Sequence, residues 1–193
     1  MDHNLLLTSI RKYVQLDEEE ENLLVSYLHH RRLKRRQHLL AEGDVCTKIT
    51  FVISGCLRSY AIDSNGAEHV LQFAPSGWWI GDMFSMLTGE PARLNVDALE
   101  ESEVVFILKP DFESLTTRLP KFAHFRRMLA ENAVGTYQYR QIDNLTLSAI
   151  ERYKKFCNTY PSLIRTLPQK QVASYIGVTP EFLSRMLNNT MIN

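Results

Sequence analysis

Cysteine is scarce in this chain: Cys46, Cys56 and Cys157 are the three among 193 residues. Their number is odd and their spacing wide, so neither a disulfide framework nor a zinc-finger spacing is present. Free thiols in a reducing compartment are the expectation. Long apolar runs are missing too, and no stretch approaches the roughly 18 to 20 residues of a membrane span. The opening MDHNLLLTSIRKY has no basic segment leading into an apolar one, so it is not read as a secretory leader. The expected location is the cytoplasm, with no membrane partner. Net charge is also lacking, since 22 Lys and Arg offset 22 Asp and Glu. A neutral total neither supports nor excludes nucleic acid; the distribution of the charge decides. No Ser-His-Asp or Cys-His set stands out. In the strand region after residue 40 only His69, beside Glu68, resembles a metal ligand, too little for a cupin-like metalloenzyme. No catalytic and no metal-ligating residue is assigned, and the chain is not read as an enzyme.

What is present is a core and a pattern. Apolar residues make up 45% of the chain, enough for one large or two small domains. Residues 17–30, DEEEENLLVSYLHH, predict an amphipathic helix with its acids at the positive end of the dipole. The basic run HHRRLKRRQ at 29–37 leads into Leu39-Leu40 and reads as a solvated edge strand. Short strands are predicted at 49–53, 57–62, 70–73, 96–99 and 104–108. Turn signals separate them, at Glu42-Gly43-Asp44 and most clearly at Asn65-Gly66, where both residues tolerate positive φ. Such spacing implies a small antiparallel β-barrel or sandwich. A short helix follows Pro110, and a long one runs from Lys121 to about Leu145. Ser148 and Glu151 have capping-box spacing at the start of another, which Pro161 stops. The expected class is α+β: a jelly-roll-like β-barrel sensor with an N-terminal helix over 1–120, a dimerisation helix over 121–145, and a small all-helical domain over 146–193.

Residues 169–187, QKQVASYIGVTPEFLSRML, spell a helix-turn-helix. Val172 and Ile176 face the second helix, and Ala173 allows close approach. Gly177 makes the turn, Val178 plugs it, and Thr179 with Pro180 starts the second helix as N-cap and first turn. Either Phe182 or Leu183, together with Met186, forms the buried face. From residue 150 onward six bases (Arg152, Lys154, Lys155, Arg165, Lys170, Arg185) face two acids (Glu151, Glu181), a surplus of four where phosphate binding requires it. On the second helix Glu181, Ser184 and Arg185 are candidates for base edges, Arg185 foremost because a guanidinium pairs bidentately with guanine. Gln169, Lys170, Thr179 and Pro180 complete the candidate DNA-binding set, the first three placed for phosphates. One such helix reads few base pairs, so a homodimer on double-stranded DNA is expected, with the long helix as its seam.

The order barrel, long helix, terminal helix-turn-helix resembles the cyclic-AMP receptor and Fnr-type (Crp/Fnr) regulator superfamily over nearly the whole chain. The resemblance is carried by GVTPEFLSRML at 177–187, EGD at 42–44, ISG at 53–55 and GDMFSMLTGEPARLNV at 81–96. It implies a transcription regulator with a cyclic-nucleotide-binding-like sensor and RNA polymerase as a further partner. The last segment is similar to a phosphate-binding cassette, which places ligand contacts at Gly81, Asp82, Arg93 and Leu94. Asp82 is one methylene shorter than the family's glutamate, and Leu94 has no hydroxyl. An unknown effector other than cyclic AMP, or none, is therefore expected. Three scattered cysteines cannot ligate an iron–sulfur cluster of the Fnr kind, and no cofactor is expected. Only NNTMIN follows Leu187, so the β-wing usual after the recognition helix is expected to be absent or vestigial. The alternative function is a small-molecule-binding module whose helical end mediates protein interaction.

Overall fold

The computed structural model describes residues 3–190, residue 190 by its backbone alone. The chain forms two compact units. One holds the chain up to Ala61 together with Leu71–Asn132; the other holds Ile62–Val70 and the chain from Ala133. The division thus falls inside the long helix expected at 121–145.

In the first unit, α1 (Asn4–Arg11) buries Leu6, Leu7 and Ile10. This helix is short and was not legible from the sequence. α2 (Glu18–Ser26) starts at Asp17. The Asp17 carboxylate accepts from Glu20 N at 2.9 Å, and Glu20 accepts from Asp17 N at 2.8 Å. This capping box satisfies two amides that the helix leaves unpaired.

Eight strands follow: β1 (His29–Leu33), β2 (His38–Leu40), β3 (Lys48–Ser54), β4 (Cys56–Ile62), β5 (Glu68–Pro75), β6 (Trp79–Ile80), β7 (Asn95–Ala98) and β8 (Ser102–Leu108). They form two four-stranded sheets, ordered β1-β8-β3-β6 and β2-β7-β4-β5, the alternation of a jelly roll. The expected closed barrel is corrected here: strand pairing ends at β1 and β6 in one sheet and at β2 and β5 in the other. The two sheets share one apolar core that includes Leu33, Phe51, Leu57, Val96 and Val105. β1, from the basic run, does lie at a sheet edge. Its Arg32 pairs with Glu103 at 2.7 Å.

α3 (Met83–Thr88) interrupts the sheets between β6 and β7. α4 (Lys109–Arg118) leads into α5 (Pro120–Thr146), whose first turns bury Phe122 and Phe125. Phe125 stands against Trp79, ring centroids 5.8 Å apart.

The second unit contains α6 (Ala149–Thr159), α7 (Gln169–Ile176) and α8 (Pro180–Thr190). Its buried residues include Val70, Phe156, Tyr160, Leu163, Val172, Ala173, Ile176 and Leu183. The tip of the β4–β5 hairpin belongs to this unit. The Asp63 carboxylate takes Asn65 N at 2.8 Å and Ala67 N at 3.0 Å. This local clasp fixes the turn that Asn65-Gly66 announces. Ser174 Oγ donates to Glu68 O at 2.5 Å and accepts from Val70 N at 2.9 Å. Arg140 donates to Val70 O and Tyr175 O at 3.0 and 2.9 Å.

Candidate nucleic-acid interface and sensor cavity

The helix-turn-helix is built by its turn. Gly177 ends α7 at φ +72°, a left-handed conformation that a Cβ disfavours. Its amide donates to Ser174 O at 3.3 Å, and that of Val178 donates to Ala173 O at 3.0 Å, the paired bonds of a Schellman termination. Thr179 Oγ1 then accepts from Phe182 N at 3.2 Å, as an N-cap does. Val172, Ala173 and Ile176 are buried as the pattern requires. Of the two alternatives on α8 the structure buries Leu183 at 0% and exposes Phe182 at 45%. Met186 is half-buried.

The candidate DNA contacts fall as follows. Gln169, Lys170, Thr179, Glu181 and Arg185 are exposed, and Ser184 and Pro180 half-buried. The Glu181 carboxyl sits below its ordinary value, because its own backbone amide, the Thr179 side chain and the Arg185 charge all favour the anion. Two of the six counted bases have partners within the helical unit. Arg152 donates to Ile176 O at 2.8 Å and Leu147 O at 2.7 Å, and Lys155 pairs with Asp143 at 2.6 Å. The other four, Lys154, Arg165, Lys170 and Arg185, are exposed. Sequence counting could not separate these groups, since partners such as Asp143 lie on another helix. Asn188, Asn189 and Thr190 continue α8. Met191, Ile192 and Asn193, the rest of the segment on which the wing question turns, lie outside the described residues.

The four candidate ligand contacts differ in their settings. Asp82 is buried and caps α3, its Oδ1 accepting from Ser85 N at 3.0 Å. Arg93 is exposed. Leu94 packs half-buried against the core. Gly81 alone of the four borders a cavity of about 360 Å³. That cavity is walled by Leu39 and Leu40 of β2, Val45, Lys48 and Thr50 of β3, and Val96 of β7, with Asp44 also on its lining. Lys48 and Thr50 went unnoticed in the sequence because each reads as an ordinary polar position of a strand. Among the described residues no three His, Cys, Asp or Glu stand together as a metal set, and no helix is long and apolar enough to cross a membrane.

Residues 30–118 match the cyclic nucleotide-binding domain family. The fumarate and nitrate reduction regulatory protein of Vibrio cholerae is 26% identical over 184 residues, covering 89% of this chain and 73% of that protein. The cyclic AMP receptor protein of Thermus thermophilus is 29% identical over 109 residues, 56% of this chain and 50% of that protein. Among solved structures, the c-di-GMP responsive global regulator CLP of Xanthomonas campestris aligns with a TM-score of 0.73 at 16% identity, covering 91% of this chain and 92% of that one. FixK2 of Bradyrhizobium japonicum aligns at 0.70 and 20% identity, covering 86% and 85%. Fold and sequence together define a two-part chain, a cyclic nucleotide-binding-type fold followed by a helix-turn-helix. In sequence and fold the chain is similar to regulators of the Crp/Fnr type.

Proposed function

We propose that this protein is a homodimeric, cytoplasmic transcription regulator that binds double-stranded DNA through α7 and α8, cooperates with RNA polymerase, and answers to an effector other than cyclic AMP. The observation that carries the DNA reading is the division of α8. Leu183 anchors the helix in the core while Glu181, Phe182 and Arg185 stand outward, and Lys170, Arg165 and Lys154 are exposed in the same helical unit. In this reading Arg185 pairs with guanine, Phe182 meets a thymine methyl, and Gln169, Lys170 and Thr179 hold phosphates.

The dimer reading is supported by α5. Val134 and Leu145 are 66% and 76% exposed, and Tyr137 and Ile142 are exposed with them. At about 100° per residue these four fall on one side of the helix, an apolar stripe that a second copy would cover.

The test is selection of bound fragments from genomic DNA, followed by fluorescence anisotropy on the selected sequence. Arg185→Ala should cost about 1 to 3 kcal/mol and relax one position of the site. Affinity for DNA no better than that of a neutral control protein would sink the reading and favour a module whose helical end binds protein.

A further inference from the structure

We propose that His3 and His30 form a two-imidazole site for one divalent zinc ion, each binding through Nε2 with water in the remaining positions. The site is independent of the DNA-binding reading and lies apart from the cavity between β2, β3 and β7.

The two residues are 27 positions apart in sequence, and the fold brings their Nε2 atoms to 3.0 Å. The rings meet at their tips: the centroids are 5.0 Å apart and the planes inclined by 49°. Two imidazole nitrogens on one tetrahedral zinc, at the usual Zn–N length, stand about 3.3 Å apart, so this pair needs to open by only about 0.3 Å to share an ion. Both backbones are held in place. His3 precedes α1, and its carbonyl accepts from Leu7 N at 3.0 Å. α1 is fastened by Leu6, Leu7 and Ile10, which share the core with Leu33 of β1. His30 stands in β1, paired with Val105 of β8. Ligands carried by a seated helix and a sheet give up little freedom on binding.

His3 does not cap α1 with its side chain; its ring turns to His30 instead. His3 is half-buried and His30 exposed, and their contact lies at the surface, within reach of an ion and its waters. There a hydrogen bond between two neutral imidazoles contributes little, because water would serve each ring as well. Chelation is what the pairing adds. Neutral imidazole is a preferred ligand of zinc, whereas magnesium and calcium take oxygen. Two positions fall to water, in keeping with the absence, among the described residues, of any three His, Cys, Asp or Glu grouped for a metal. The neighbouring charges do not forbid a dication. Arg32, on the same face of β1 as His30, is balanced by Glu103 at 2.7 Å. Arg31 belongs to the other face of the strand, the face on which His29 stacks on Phe106.

The experiment is calorimetric titration of the full chain with zinc chloride in neutral buffer, with magnesium chloride alongside. The expected result is saturable binding of one zinc ion per chain and no comparable heat from magnesium. His3→Ala and His30→Ala should each weaken zinc about tenfold or more, since removing a direct ligand costs at least what removing an outer-shell partner does. The double variant should lose little more than either single one, because both rings serve one ion. Cys157→Ser and His69→Ala, which remove accessible ligand-type side chains elsewhere, should bind zinc like the parent. Zinc should raise the melting temperature of the parent and not that of the two ligand variants. The proposal falls if zinc gives no saturable heat, if magnesium binds as tightly, or if folded His3→Ala or His30→Ala binds zinc like the parent. It falls equally if Cys157→Ser or His69→Ala abolishes the binding. His30→Gln, which keeps a polar side chain on β1, takes the place of His30→Ala if that variant fails to fold.

Discussion

Arg58 grips Asp97 side by side across β4 and β7, Nε to Oδ1 at 2.8 Å and Nη2 to Oδ2 at 3.1 Å. The two are register partners, and each side chain is 7% exposed. The guanidinium also lies 4.0 Å from the Tyr60 ring centroid. Removing one partner strands a buried charge. Asp97→Ala should therefore cost about 3 to 5 kcal/mol of stability in urea denaturation. Replacing both, as Arg58→Met with Asp97→Leu, should cost distinctly less. A single variant as stable as the parent would show that the pair contributes nothing.

The turn of the helix-turn-helix admits an equally local test. A Cβ added at Gly177 meets nothing within 4 Å, so Gly177→Ala isolates the backbone term. It should destabilise the helical unit by about 1 to 2 kcal/mol. Thr179→Ala, which removes the N-cap acceptor, should cost about 1 kcal/mol. Both are read from denaturation followed by circular dichroism, and no change in either would mean the turn is held from elsewhere.

On DNA the outward residues of α7 and α8 should separate by role. Lys170→Ala should weaken all sequences alike and lower the salt slope by about one. Phe182→Ala should leave the slope alone and loosen one base position by about 1 to 3 kcal/mol. Salt-dependent binding curves on the selected site and on its single-base variants distinguish the two.

Acid should loosen the start of α6. Glu151 accepts from Ser148 N at 2.8 Å and from the Ser148 hydroxyl. The Ser148 side chain, then its backbone amide, holds this carboxyl below its ordinary 4.5. The folded state thus favours the anion. Its contribution is whole above pH 4.5 and disappears as pH falls through the lowered folded value. Glu151→Gln should flatten that part of the stability profile below pH 4.5. An unchanged profile would assign the acid sensitivity to other groups.

The thiols should react in order of access. Cys56 is buried, and burial pushes its pKa up to about 12, leaving almost no thiolate at pH 8. Cys46 is buried as well, whereas Cys157 is partly exposed. A thiol reagent at pH 8 should label Cys157 first and Cys56 only on unfolding, as read by mass spectrometry.

Much of this molecule is legible from local chemistry. The spacing Ala173, Gly177, Val178, Thr179 spells its turn because each residue answers to its own backbone or to one a few positions away. The same holds for Ser148 with Glu151 and for Asn65-Gly66. The strands at 49–53, 57–62, 70–73 and 104–108 could be found because alternation and turn residues are also short-range signals. What local pattern could not supply was partnership at long range. Whether the strands closed into one barrel or split into two sheets depended on pairings such as β3 with β8, more than 40 residues apart. Leu183 rather than Phe182 turned inward because α7 occupies only one side of α8. Arg152 and Lys155 were claimed by partners of the fold itself, the one by backbone carbonyls and the other by Asp143. Arg93 looked like a phosphate ligand by its place in the chain, yet its side chain is exposed, and Lys48 and Thr50 took up the cavity wall instead. The helix-turn-helix was written in neighbouring residues; the cavity came into being only when β2, β3 and β7 packed around the same space.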